Sequence, residues 1–110
     1  MIWKINYLPE ADDDMANLDG SQRLLVRKAI AKVSKNPVSN LEGGYGKPLG
    51  KKGTTNLTGF MKIKLKDSGL RIVYQLRRIN GEMLVVIVGA RADDEVYDAA
   101  EQRIERHSLE

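Results

Sequence analysis

Residues 60–89 read FMKIKLKDSGLRIVYQLRRINGEMLVVIVG, and apolar and basic side chains alternate in the first part of this stretch. Because a strand points successive side chains to opposite faces, 60–66 is predicted to be a strand with an apolar face. Its other face is a row of ammonium groups. Such a row suits a phosphate backbone, and its simpler interpretation is a charged edge strand that resists aggregation. The lysines of that row are Lys62, Lys64 and Lys66.

Two more strands follow within the same stretch. A turn at 67–69 precedes the segment 70–76, and the Asn80-Gly81 pair is a strong short-range signal for a hairpin. The unbroken apolar run 83–88 is typical of a central strand that is buried on both faces. Consecutive strands joined by tight turns predict an antiparallel meander, covered by helices on one face.

The flanking segments add one strand and three helices. Residues 2–7 alternate as a short strand, and a first helix is predicted at about 9–18. A Ser21 cap is expected to start the second helix, and Asp93 or Asp94 to cap the last one. The second helix is predicted to bury a stripe of Leu25, Val26, Ala29, Ile30 and Val33. The order β-α-α-β-β-β-α predicts an α+β fold: a mostly antiparallel four-stranded sheet with two N-terminal helices and one C-terminal helix.

A long segment, 38–59, contains six glycines and separates the second helix from the lysine strand. A loop of this length in a small domain is usually either functional or mobile. Glycine-rich loops can cradle phosphate, but no Walker pattern is present, so flexibility is the favoured interpretation.

Composition excludes several kinds of chemistry. The chain has 110 residues, no cysteine, and one histidine, His107, near its end. Disulfides, thiolate metal sites, a cysteine nucleophile, a Ser-His-Asp arrangement and a histidine metal cluster are therefore excluded, and neither a metal nor a cofactor is expected. We expect one domain, 1–108, with 109–110 as a cloning remnant. No apolar stretch is long enough to cross a bilayer, so we expect a cytoplasmic protein without membrane contact.

Charge is unevenly distributed along the chain. The formal net charge is +3, but the acidic residues concentrate near the two ends and 23–91 is strongly basic. This asymmetry favours an anionic partner. The cations that we predict to contact such a partner are Arg23, Arg27, Lys28, Lys32, Lys35, Lys47, Lys51, Lys52 and Lys66.

Two segments resemble the RelE-type toxins of the RelE/ParE toxin–antitoxin superfamily. Residues 62–75 carry the K-x-K strand and an S-G-x-R-x-V-Y-Q turn and strand, and 88–97 carry the ending G-x-R-x-x-x-E-V-Y. The resemblance implies a small ribonuclease that cuts messenger RNA in the ribosomal A site, and it makes RNA and the ribosome the expected partners of the cations named above. It also implies a cognate antitoxin that covers the toxin, with operator DNA bound only through that complex. The long glycine segment departs from the family, in which this loop is much shorter.

The same resemblance implies a set of catalytic residues, namely Lys62, Lys64, Arg71, Arg91 and Tyr97. In metal-free RNA cleavage the 2′-hydroxyl attacks the adjacent phosphorus and leaves a 2′,3′-cyclic phosphate and a 5′-hydroxyl. Arg71 suits the phosphate because its planar fork matches paired oxygens. Crowded cations would help one lysine to act as the base, but the sequence does not decide which lysine. Arg91 is expected to stabilise or protonate the leaving oxygen. Tyr97 is expected to stack on a base or to orient the 2′-hydroxyl.

Other interpretations stay open at this stage. Tyr97 has the helical spacing of a core residue, and the two arginines have the character of surface cations that pair with nearby carboxylates. At the level of the whole protein, one alternative is a ParE-like toxin that inhibits DNA gyrase by binding. Another is a catalytically silent module that binds RNA or an antitoxin.

Overall fold

The computed structural model describes residues 3–52, 55–90 and 93–109, apart from the side chains of Lys52, Asp93 and Asp94. The strands are β1 (Lys4–Tyr7), β2 (Lys47–Pro48), β3 (Lys51–Lys52), β4 (Thr55–Asn56), β5 (Phe60–Leu65), β6 (Leu70–Arg77) and β7 (Glu82–Gly89). The α-helices are α1 (Pro9–Ala16), α2 (Gly20–Ser34) and α3 (Asp93–Arg106). Within the described ranges, no helix combines the length and the apolar character needed to span a membrane.

The main sheet has five strands in the order β1-β7-β6-β5-β2. β1 runs parallel to β7, and the other neighbours are antiparallel, so the predicted α+β class and mostly antiparallel sheet are confirmed. The predicted strand count of four is wrong. The glycine-rich segment adds β2 to the edge of β5 and folds β3 and β4 into a separate two-stranded ribbon. Strands of two residues have no periodicity to detect and exist only through their partners.

Local chemistry explains where the first two helices begin. Pro9 occupies the first turn of α1, where its missing N–H costs nothing. Asp19, not the predicted Ser21, caps α2: its carboxylate accepts from the Gln22 N–H while the Gln22 side chain accepts from the Asp19 N–H. The Ser21 hydroxyl instead donates to Asp19 at 2.8 Å.

The apolar stripe of α2 is narrower than predicted. Val26, Ile30 and Val33 are buried, but Leu25 is 49% exposed. In α3, Val96, Ala100 and Ile104 lie at helical spacing on one face, and all three are buried. The predicted cap at Asp93 or Asp94 lies outside the described side chains.

The helices lie on both faces of the sheet, whereas the sequence predicted one covered face. On one face, the Tyr74 hydroxyl donates to the carbonyl of Pro37, just after α2, at 2.7 Å. On the other, the adjacent Gln75 amide donates to the carbonyl of Leu109, just after α3, at 2.7 Å. The central strands are apolar on both sides, so both faces need a cover. The face beneath α3, here called the α3 face, carries Arg71, Val73 and Gln75 of β6.

β7 is a buried inner strand of the sheet, as predicted, and every residue from Met83 to Val88 is buried. It contains a bulge. Tyr74 pairs with Val85 and Val73 pairs with Ile87, so that Val86 has no opposite residue on β6. Burial also raises the pKa of Tyr74 well above its ordinary value.

The glycine-rich segment is more ordered than a flexible loop. It contains a 3₁₀ turn at Asn40–Glu42 in addition to its three short strands. Gly46 is buried, and a Cβ at this position would collide with the Met61 sulfur and the Tyr74 hydroxyl. Close packing therefore requires glycine at this position. This corrects the favoured interpretation, in which flexibility explained the glycines.

Candidate active site

Three of the catalytic residues implied by the family resemblance lie together on the α3 face. Lys64 of β5 is directly opposite Arg71 of β6, and Lys62 is directly opposite Val73. Directly opposed residues of an antiparallel pair point their side chains to the same face, with Cβ atoms about 5 Å apart. The side chain of Lys64 is exposed, and those of Lys62 and Arg71 are half-buried. The register therefore builds one cluster of cations from two strands.

Lys47 extends this cluster toward the sheet edge. It pairs directly with Lys62 across β2 and β5, so both lysines point to the α3 face. The sequence placed Lys47 in a loop, among the predicted RNA-binding cations. Its position beside Lys62 depends on a two-residue strand pairing, for which the sequence carries no periodic signal.

Arg71 is hydrogen-bonded to its own turn and lies opposite a residue that has no side chain. Its Nη1 donates to the Gly69 carbonyl at 2.7 Å, and Gly69 takes a positive φ of 73° in the turn between β5 and β6. On its other side Arg71 pairs with Gly89 of β7. Because Gly89 has no side chain, α3 approaches β7 closely at this point. A Cβ on residue 89 would lie 3.3 Å from the Val96 side chain.

Helix α3 is fixed over this face from both flanks. On one flank Arg103 forms an ion pair of 2.6 Å with Asp14 of α1. On the other flank Glu101 accepts a hydrogen bond of 2.6 Å from the Asn56 N–H of β4. The ribbon formed by β3 and β4 therefore packs against the helix on the side opposite to α1.

Tyr97 lies on the flank of α3 that faces the ribbon. Successive helical residues are rotated by about 100°, which places Tyr97 between the inward residues Val96 and Ala100 and the ribbon-facing Glu101. Its ring is partly buried against the core and its hydroxyl oxygen is buried. This position is on the side of β5, the strand that carries Lys62.

The remaining predicted residues fall into separate groups. Arg91 lies outside the described residues, as does the side chain of Lys52. Lys51 on β3 and Lys66 just after β5 are exposed. The structure thus brings four of the five implied catalytic residues to the sheet face and helix described above, and Arg91 follows Gly89 by two positions in the sequence.

The cations of α2 lie on the opposite side of the sheet from the lysine cluster. Arg27, Lys28, Lys32 and Lys35 are exposed. The Lys32 ammonium lies 5.5 Å from the centre of the Tyr45 ring, which is a cation–π contact between α2 and the glycine-rich segment.

Arg23, the remaining predicted cation of α2, has a structural role. Its Nη1 donates to the carbonyls of Met15, Ala16 and Leu18, at 3.3, 3.3 and 2.8 Å. These groups belong to the end of α1 and the turn after it, where carbonyls have no helical partner. Arg23 is therefore less available to RNA than its neighbours.

Comparison with known proteins identifies the fold. The sequence matches no protein-family model and no curated protein at a significant level. The isolated RelE toxin of E. coli superposes with a TM-score of 0.67 at 25% identity, covering 93% of this chain and 98% of that toxin. A variant of E. coli RelE with two arginines replaced by alanine gives 0.72 at 26% identity, with coverages of 94% and 99%.

A toxin–antitoxin complex is also among the similar structures. A chain of the RelBE complex from Mycobacterium tuberculosis gives a TM-score of 0.66, at 20% identity and with coverages of 84% and 95%, which is a likeness in fold. The agreement spans nearly the whole of each compared chain. The fold is that of the RelE toxins, and the similarity to their solved structures supports a RelE-type toxin.

Proposed function

We propose that this toxin is a ribosome-dependent endoribonuclease that cuts messenger RNA in the ribosomal A site. The observation that carries the proposal is the direct opposition of Lys64 and Arg71, with Lys62 two residues along β5 on the same face of the sheet. Helix α3 packs against β6, the strand that carries Arg71, and charge stabilisation of a scissile phosphate is strongest where water is excluded.

The reaction requires three tasks of these side chains. The 2′-oxygen of the substrate attacks the adjacent phosphorus, the bond to the 5′-oxygen breaks, and a 2′,3′-cyclic phosphate and a 5′-hydroxyl result. The Arg71 fork holds two phosphate oxygens as negative charge grows on them. One lysine of the pair Lys62 and Lys64 takes the proton from the 2′-hydroxyl, and the other adds positive charge.

Tyr97 and Arg91 complete the proposed site. The Tyr97 ring lies on the flank of α3 toward β5, where it would stack on a base that the ribosome presents or orient the 2′-hydroxyl. Arg91 would stabilise the leaving 5′-oxygen, which takes up a proton from Arg91 or from water and becomes the 5′-hydroxyl. The arrangement uses no metal and no cofactor.

The proposed partners follow from the fold and the charge. Solved relatives include an intact RelBE toxin–antitoxin complex of E. coli, at 23% identity over 82% of this chain. We propose that a cognate antitoxin binds this toxin, that operator DNA is bound only through the antitoxin complex, and that both act in the cytoplasm. The exposed cations of α2 and Lys51 of the β3–β4 ribbon would contact ribosomal RNA.

Purified variants test the proposed site. Lys64→Ala, Arg71→Ala, Tyr97→Phe and the double variant Arg71→Ala/Arg91→Ala are assayed for messenger cutting on programmed ribosomes, with folding checked by thermal unfolding. Loss of a preorganised charge contact lowers cutting by about a hundredfold or more.

A matched control is Arg78→Ala. Arg78 is an exposed cation that pairs with Glu42 at the far end of β6, seven residues from Arg71 and so about 20 Å away. This variant should cut like the wild type. Wild-type cutting by the Arg71→Ala/Arg91→Ala double variant would refute the proposal.

The same experiments in cells separate the alternatives. Induction should arrest growth and produce cuts within translated codons. DNA-damage signalling without cuts would identify a gyrase inhibitor instead. Binding to ribosomes or antitoxin without either effect would identify a catalytically silent module.

A further inference from the structure

The outer edge of β7 loses its strand partner before β7 ends. β1 stops at Tyr7, and the last bond from this side is donated by the Leu8 N–H to the Val85 carbonyl at 3.0 Å. The chain then turns into α1. Beyond this point the Val86 carbonyl and the Val88 N–H also face this edge, because the bulge at Val86 interrupts the regular alternation of the strand, and both groups bond side chains that pair with each other.

Two side chains take the place of the missing strand. The Asp14 carboxylate of α1 accepts from the Val88 N–H at 3.0 Å, and Arg103 Nη1 of α3 donates to the Val86 carbonyl at 3.0 Å. Asp14 and Arg103 also pair with each other through two bonds of 2.6 and 3.1 Å. Both side chains are only 13% exposed, so solvent screens this forked pair much less than a surface pair.

This edge belongs to the bulge that sets the register at the proposed site. Because Val86 is the extra residue, Gly89 lies opposite Arg71. With regular pairing continued from Val85, Val88 would take that position instead. Its isopropyl group would then stand beside Arg71, at the place where the Val96 methyl of α3 approaches Gly89.

We propose that Asp14 and Arg103 are positioning residues of the nuclease site. They complete the edge of the bulge, and so they fix both the Gly89 end of β7 beside Arg71 and the seat of α3, which carries Tyr97. The inference rests on the proposed function, because cutting is one of its two readouts. The other readout needs no RNA.

A second ion pair on the same two helices provides a matched control. Arg106 of α3 pairs with Glu10 of α1 at 2.8 Å, and its side chain is 59% exposed. Like Arg103 it joins the end of α3 to α1, but the structure gives its guanidinium no bond to the backbone of β7. Arg106→Lys therefore changes an ion pair between α1 and α3 but removes no hydrogen bond at the bulge of β7.

Amide hydrogen exchange of the free toxin tests the structural half. Arg103→Lys removes the fork, and Asp14→Asn keeps an acceptor for Val88 but removes the charge. The Val88 amide should exchange about tenfold faster or more in Arg103→Lys while amides between β5 and β6 are unchanged, as expected of local opening. Arg106→Lys should leave Val88 unchanged. Unchanged Val88 exchange in Arg103→Lys, or equal acceleration at all amides, would overturn the inference.

Single-turnover cutting on ribosomes tests the positioning half. In Arg103→Lys the saturating rate should fall about tenfold to a hundredfold, the cost of a small misplacement, while the half-saturating toxin concentration changes by less than about twofold. Arg106→Lys should match the wild type. Equal losses in the two variants, or a loss confined to ribosome affinity, would overturn the positioning role. If the wild type does not cut, the proposed nuclease activity is refuted. The exchange experiment alone then decides whether Asp14 and Arg103 hold the edge of β7.

Discussion

Gly46 shows at the scale of one residue why the glycine-rich segment keeps a defined path. Its Cα lies against the Met61 sulfur and the Tyr74 hydroxyl, with no space for a side chain. Gly50, in the same segment, is exposed and has no atom within 4 Å of the position that a Cβ would take. Close packing therefore requires glycine at position 46, whereas the surroundings of Gly50 leave room for a side chain.

Gly46→Ala should destabilise the fold by about 1–3 kcal/mol, the usual cost of overpacking a filled site. Gly50→Ala is the control and should leave the free energy of unfolding unchanged or raise it slightly, because alanine restricts the unfolded chain. Urea denaturation of both variants measures the difference. Equal stabilities for the two variants would show that Gly46 is not packed as described.

Arg71→Lys tests the geometry of the phosphate contact separately from its charge. Lysine keeps the positive charge but has no planar fork, so cutting should fall about tenfold or more while ribosome binding is retained. The measurement is single-turnover cutting with binding measured in parallel, and Arg78→Lys is the control. Full activity in Arg71→Lys would mean that charge alone is needed at this position.

At the scale of elements, the ends of α1 and α3 are joined by a small ionic cluster. The Glu10 carboxylate lies 2.9 Å from His107 Nε2 and 2.8 Å from Arg106 Nη1. The hydrogen bond from His107, followed by that from the Glu10 backbone, lowers the pKa of Glu10 from its ordinary 4.5 to about 2. A sequence with one histidine near its end gave no reason to expect this contact.

A carboxyl group whose pKa is lower in the folded state stabilises the fold above its unfolded pKa and loses that effect as the pH falls. Glu10 should therefore contribute fully above about pH 5, and its contribution should vanish as the pH falls to about 2. Glu10→Gln should unfold at a lower temperature than the wild type at pH 6, and the two curves should converge near pH 2. A gap that stays constant over this range would contradict the assignment.

Long elements were predictable from the sequence, and short ones were not. Alternation in β5 and the apolar run of β7 are properties of the segments themselves, so their strands were predicted nearly to the residue. β2, β3 and β4 have two residues each and exist through pairing with distant segments. The bulge at Val86 is also a property of the pairing, and it breaks no pattern in an all-apolar run.

The candidate site was predictable in part for the same reason. The alternation put Lys62 and Lys64 on one face before any partner strand was known. The register that sets Lys64 opposite Arg71, and Lys47 opposite Lys62, depends on tertiary pairing. The side of the sheet that α3 covers was also beyond the sequence, which predicted helices on one face only.

At the scale of the whole molecule, two groups of cations, the lysine cluster with Arg71 and the exposed cations of α2, lie on opposite sides of the sheet. The cluster on the α3 face is proposed to do chemistry, and the exposed cations of α2 are proposed to hold ribosomal RNA. Binding and cutting should therefore be separable by mutation.

Arg27→Ala/Lys28→Ala/Lys35→Ala should weaken ribosome binding and flatten its dependence on salt, with the logarithmic slope reduced by about two to three. The cutting rate at saturating toxin should be retained. The control is the charge-preserving triple variant Arg27→Lys/Lys28→Arg/Lys35→Arg, which should keep the wild-type slope. An alanine variant that binds with the wild-type slope would show that α2 carries only a solvated face.

The chemistry of the cut ends tests the central claim, that Lys62, Lys64, Arg71 and Tyr97 form one RNA-cutting site. Purified toxin, ribosomes paused at a defined codon and an end-labelled messenger are incubated, and both ends of the break are identified. We expect one cut within the A-site codon, a 2′,3′-cyclic phosphate upstream and a 5′-hydroxyl downstream, and no cut by Arg71→Ala/Arg91→Ala. A 5′-phosphate end, cutting without ribosomes, or the same cut by that double variant would contradict it.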